Sequence, residues 1–178
     1  MTLTGAVLFA YWGVFTRLPG FLSAPIEDGG AVLTLVRSSG FLIAVQAGAY
    51  AGYLSFGWLA DRYGRRPVFA AYVLAAAALT PIYGLAPVYA GRHIEAVLLV
   101  LGPVMGFAGT GYFSLFGAVL AEIYPTRIRG SGQGLTYNAG RIASALAPYL
   151  VGRAADRAGI GAALGIASGF FAAAAALV

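Results

Sequence analysis

The chain has 178 residues, 60% of them hydrophobic and 10% charged, with a mean hydropathy of +0.82. Soluble domains run at about 45–50% apolar and about 25% charged residues, so a water-facing fold cannot cover this much apolar surface. The formal charge of +5 is supplied by arginine without any lysine, and most of these arginines flank apolar runs, which points to headgroups and topology rather than nucleic acid. With no cysteine, disulfides and thiolate metal sites are excluded, and neither a metal nor another cofactor is expected.

In chain order, the first predicted span covers 2–24, with Arg17 snorkelling toward one surface. It lacks the basic leader segment of a signal peptide. The next three spans, 36–60, 67–88 and 95–121, follow from charge-free runs that reach the ~20 apolar residues needed to cross a bilayer. The fifth, 130–152, is apolar except for Arg141, and the sixth is 160–178. Transmembrane strands would alternate apolar and polar residues, and no such pattern occurs. The expected fold is all-α, a polytopic membrane protein of six transmembrane helices forming one unit over 1–178. Glycines at helical spacing, Gly48/Gly52, Gly102/Gly106 and Gly161/Gly165/Gly169, are expected to let helices approach closely. Pro81, Pro103 and Pro148 are expected to kink their spans.

Arginine in the short connections sets an orientation. Arg62, Arg65 and Arg66 lie in one loop, Arg127 and Arg129 in another on the same face, and that face is expected to be cytoplasmic. The opposite face carries Arg92, Arg153 and Arg157. Absence of lysine beside abundant alanine, glycine and arginine is the composition of a GC-rich bacterial genome, so the expected location is a bacterial inner membrane, with the lipid bilayer as the first partner.

The connection after the second span reads Gly57-Trp58-Leu59-Ala60-Asp61-Arg62-Tyr63-Gly64-Arg65-Arg66. A turn this short needs a glycine for its reversal, and its guanidiniums can hold phosphates, helix ends and carboxylates. The connection after the fourth span runs Glu122-Ile123-Tyr124-Pro125-Thr126-Arg127-Ile128-Arg129-Gly130. The first resembles the G-x-x-x-D-R-x-G-R-R signature of the major facilitator superfamily. The second is similar to the link between the tenth and eleventh helices of its organic-acid and sugar-acid proton symporters. The resemblance implies the carboxyl-terminal half, helices seven to twelve, of a carrier whose amino-terminal half is the missing partner. It also implies proton-coupled transport of a small anionic solute. Gly57, Asp61, Arg62, Gly64, Arg65, Arg66, Glu122 and Arg129 would form the cytoplasmic gate. Asp61 is expected against the amino terminus of the fifth helix near Ser131–Gln133, and Glu122 against Arg65, Arg66 or Arg129.

In this superfamily the first, second, fourth and fifth helices of a half line the pathway. The polar and amphipathic side chains sort the same way, giving Tyr11, Gln46, Tyr50, Tyr112, Asn138 and Arg141 as the expected substrate contacts. Arg141 is the strongest of them. Mid-helix, it costs about 2.5–3.5 kcal/mol to insert, and its planar fork suits a carboxylate. An intramembrane enzyme is not expected, because His93 is the single histidine and no catalytic motif occurs. The remaining alternative is a truncated or subunit-like six-helix fragment without transport activity of its own.

Overall fold

The computed structural model describes residues 2–25 and 30–177, and every regular element among them is helical. The first expected span is broken. Helix α1 (Thr2–Phe15) and helix α2 (Leu18–Ser23) are separated by Thr16 and Arg17. Proline in the first turn of α2 fits there, since its missing N–H would have no partner in any case. Helix α3 (Leu35–Tyr63) starts at Thr34, whose side chain accepts a hydrogen bond from the Arg37 amide at 3.4 Å.

Helix α3 continues through Asp61 and stops at Gly64, whose φ of +92° is open to glycine and strained for other residues. Helix α4 (Arg65–Ala90) begins on the next residue. The turn expected over 61–66 is therefore a reversal on Gly64 alone. A single 3-10 turn at Gly91–His93 leads into α5 (Ile94–Thr110), and α6 (Phe113–Ile123) follows after an interruption at Gly111 and Tyr112. Pro103 sits inside α5 without ending it; the discontinuity of this span comes later, at those two residues. Helix α7 (Arg129–Ser144) ends before Ala145, and α8 (Ala147–Ala176) carries Pro148 in its first turn, where it starts a helix instead of kinking one. Within α8, Gly159 (φ +82°, ψ 164°) is non-helical, so the connection expected at 153–159 is helix up to that one glycine. By length and hydropathy alone, two stretches qualify as membrane-crossing, Thr2–Ser23 and the 59-residue Arg65–Ile123, the second folding back on itself at Gly91.

Small residues decide the packing. Helices α3 and α5 meet backbone to backbone: a Cβ added at Gly48 would collide with the Pro103 carbonyl, and one at Gly106 with the Val45 carbonyl. Without a hydrophobic difference between helix and lipid, this close approach supplies the van der Waals attraction that holds such helices together. Helix α8 lies along α4, where the Ser168 hydroxyl donates to the Ala77 carbonyl at 2.6 Å. Helix α1 is enclosed by α7 and α8, and its Val7, Ala10 and Val14 are fully buried. The glycine row expected to pack in the sixth span does not: Gly165 and Gly169 have nothing within 4 Å of an added Cβ, and the surroundings of Gly161 lie outside the described residues.

Candidate functional site

Burial separates two kinds of exposed helix face. On α4, α5 and α8 the exposed side chains include Leu74, Ile82, Val88, Val100, Val104 and Ile166, an apolar belt suited to lipid. An apolar groove of about 450 Å³ between α4 and α5, lined by Ile82, Leu85, Tyr89, Val97 and Leu101, belongs to this belt. On α3 and α7 the exposed faces are mixed. Helix α3 presents Gln46, Tyr50 and Tyr53 at spacings of four and three residues, and α7 presents Asn138 and Arg141.

Arg141 stands in the last turn of α7, just before the break at Ala145 and Leu146. Its carbonyl accepts from the Ser144 hydroxyl at 2.9 Å and the Ala145 amide at 2.9 Å, while its guanidinium has no partner among the described residues. A helix carboxyl terminus favours a cation by about 0.3–1 kcal/mol at an exposed site. Asn138 donates from Nδ2 to the Gly134 carbonyl at 2.8 Å, which leaves its amide oxygen open toward the same face. Gln46 and Tyr50 are exposed on α3 without a side-chain partner among the described residues.

Aromatic side chains join α1 to α6. Half-buried Tyr11 stacks on Phe15 with ring centroids 4.6 Å apart and meets Phe113 edge-on at 4.8 Å. Tyr11 on α1 and Tyr137 on α7 belong to helices that pack against each other, and Tyr53 is exposed on α3. Tyr137 was not among the expected contacts, yet it stands one helical turn before Arg141, and that spacing was the signal for it. Tyr112 differs in placement from the other expected contacts. It is 0% exposed, its ring packed near Phe69, Phe113 and Phe171 at 5.7, 4.8 and 6.3 Å, and its hydroxyl has no partner among the described residues. Gly109 and Phe116 are buried with it, so the face they share is turned into the bundle.

The charged motif residues gather at one end. Arg65 pairs with Glu122, joining the start of α4 to the end of α6. This carboxylate, with Asp61 adding to its effect, holds the Arg65 guanidinium above its usual range, so it stays charged at any physiological pH. Arg62 lies over the rings of Trp58 and Tyr63 at 5.6 and 5.7 Å. Arg129 folds back on its own loop, reaching the Tyr124 carbonyl and Thr126 hydroxyl at 3.4 Å each, and does not pair with Glu122. Asp61 and Arg66 are exposed, and Asp61 makes no hydrogen bond to α7 among the described residues. Gly57 faces open space on α3, and Gly64 is the reversal itself. At the other end Arg37 pairs with Glu95, tying the start of α3 to the start of α5.

The family model for the Major Facilitator Superfamily matches residues 3–178. A protein assigned to metabolite transport in Haemophilus influenzae is 31% identical over 152 residues, covering 85% of this chain and 35% of its own length. One assigned to niacin/nicotinamide transport in Bacillus subtilis is 30% identical over 85% of this chain and 35% of its own length. The gentisate transporter of Corynebacterium glutamicum is 32% identical over 84% of this chain and 31% of its own length. The chain thus spans about a third of the length of the curated relatives it matches.

Proposed function

Because the chain belongs to the major facilitator superfamily, we propose that it is the carboxyl-terminal, six-helix half of a secondary carrier that moves a small organic anion by alternating access. The observation that carries this reading is Arg141, exposed beside Asn138 on the mixed face of α7 with no partner for its guanidinium among the described residues, while α4, α5 and α8 present an apolar belt. Such carriers bind substrate near the bilayer midplane between two repeats, often at broken helices. The discontinuities at Gly111–Tyr112 and Ala145–Leu146 fall within two of the helices assigned to the pathway. In the proposed site Arg141 grips a carboxylate through two parallel N–H donors, Asn138 and Gln46 contribute further polar contacts, and Tyr11, Tyr50, Tyr53 and Tyr137 give amphipathic walls. Tyr112 supports that wall from behind.

The relatives' names favour small ring or chain acids. Among the described residues the acidic side chains, Asp61, Glu95, Glu122 and Asp156, stand toward helix ends rather than mid-span. If protons drive the transport, the titrating carboxylate therefore belongs to the rest of the carrier or is Glu122 acting from the edge. The ion-paired end with Arg65 and Glu122 is taken as cytoplasmic, in a bacterial inner membrane. A six-helix fragment inactive on its own is the second reading, supported by the short share of each relative that the chain covers.

The test uses the complete carrier that contains this chain, with nicotinate, gentisate and cis,cis-muconate as probes. Arg141→Ala should weaken binding of the accepted acid at least about tenfold, at unchanged membrane abundance. Arg141→Lys should fall between, because it keeps the charge but loses the fork. Parent-like binding and abundance in Arg141→Ala would end the assignment. A drop in abundance alone would instead tie Arg141 to a carboxylate elsewhere in the carrier.

A further inference from the structure

At the joint between α1 and α2, the guanidinium of Arg17 reaches across to α8 and donates from Nη2 to the Pro148 carbonyl at 3.0 Å. It lies directly over Gly152: a Cβ there would collide with the guanidinium itself, so the seat exists because residue 152 is glycine. One turn earlier on α1, Gly13 is pressed against Val151, with an added Cβ 3.0 Å from its Cγ2. The two helices therefore interlock over consecutive turns, and Arg17 closes the contact.

Arg17 is a costly choice for a mere spacer. It is partly buried in an apolar bundle, and the bond to Pro148 is its one side-chain hydrogen bond among the described residues. It also approaches the first turn of α8, whose helix dipole disfavours a cation. An apolar side chain would fill the same gap without either penalty. What a guanidinium adds is a directed bond to one carbonyl. That carbonyl belongs to the first turn after the α7–α8 break, and Arg141 belongs to the last turn before it.

We propose that Arg17 is a positioning residue: it pins the first turn of α8 to the α1–α2 joint and so sets the angle at the break that aims Arg141. This rests on Arg141 being the anion anchor. Arg17 touches no substrate; it acts through the joint. Gly152 is part of the same device, since it keeps the seat open.

The proposal is tested in the complete carrier, with nicotinate, gentisate and cis,cis-muconate as probes. Arg17→Ala should raise the half-saturation concentration about tenfold at unchanged maximal rate and abundance, a size ordinary for coupled neighbours. Gly152→Ala should reproduce that loss by evicting the guanidinium, while Arg17→Ala with Gly152→Ala should be no worse than Arg17→Ala alone, because the Cβ then has room. Added to Arg141→Ala, the Arg17→Ala change should do nothing further; full additivity would show that Arg17 acts independently of Arg141 and would overturn the proposal. A second measurement needs no substrate. Spin labels on cysteines at Ser23 and Leu150 should give a narrow distance distribution in the parent and a broadened one in Arg17→Ala and Gly152→Ala. An unchanged distribution rejects the tie even if Arg141 proves to be the anchor. A broadened one keeps the tie, and a parent-like Arg141→Ala then removes only the anchor reading.

Discussion

Tyr112 and Arg141 invert the ordinary relation between polarity and burial. Arg141 is exposed on α7 with no described partner, while the Tyr112 hydroxyl is sealed in the core with none. Burying a hydroxyl without a partner costs about 1–3 kcal/mol. The Tyr112 ring has to supply that through contact with Phe69, Phe113 and Phe171. Tyr112→Phe keeps the ring and removes the stranded oxygen. Its thermal stability in detergent should match or exceed that of the parent, by up to about 1–3 kcal/mol, with uptake unchanged. A fall in uptake at normal stability would return the hydroxyl to the transport site. For Arg141 the expectation is the reverse: removal should spare insertion and cost binding.

At the level of helices, the contacts that matter run through glycine, and their neighbours show which glycines matter. Gly106 and Gly48 face carbonyls of the partner helix with no space for a side chain, whereas Gly165 and Gly169 face nothing within 4 Å. Gly106→Val should force α3 and α5 apart and lower the abundance of folded carrier several-fold, while Gly165→Ala should leave it unchanged or slightly raised, since alanine is the better helix former by about 1 kcal/mol. Fluorescence-detected size-exclusion of both variants reads this directly. Equal profiles would mean that the α3–α5 approach is not what holds these helices. The broken helices follow a similar logic. An interruption leaves backbone groups without helical partners, which is tolerable in a membrane only where protein or a polar cavity receives them. Ser144 and Ala145 cap the end of α7 through the Arg141 carbonyl, and the Ser114 hydroxyl reaches the Gly111 carbonyl at 2.9 Å.

For the molecule as a whole, ion pairs mark the two ends: Arg65–Glu122 at one and Arg37–Glu95 at the other. Exposed pairs of this kind contribute little to stability. Their value lies in joining different helices, α4 to α6 and α3 to α5, at points that alternating access would have to move. The Arg65–Glu122 end should face the cytoplasm. Cysteines at Tyr63 and Thr126 stand on exposed positions of that end, and the chain contributes no native thiol as background. Impermeant maleimides should label both in inverted vesicles and neither in intact cells; labelling from outside would reverse the topology and with it the assignment of the gate.

Composition and periodicity alone determined that the chain is helical and membrane-embedded, because a charge-free run of about 20 residues has few other homes. They also singled out Arg141, since a charge inside such a run has a cost that stands out without any structure. Of the charged motif residues, Glu122 pairs with Arg65, one of three partners the sequence left open, while the expected contact of Asp61 with α7 is not made among the described residues. What the tertiary structure decided was orientation and continuity. Spacing grouped Gly109, Tyr112 and Phe116 on one face but could not say what that face meets, and it meets the core. Periodicity also assumes an unbroken helix, so the breaks at Thr16–Arg17, Gly111–Tyr112 and Ala145–Leu146 were invisible to it. Contacts such as Arg17 on Pro148 join residues that lie far apart in the chain, and the sequence holds no periodic trace of a bond whose geometry exists only once α1 and α8 are packed.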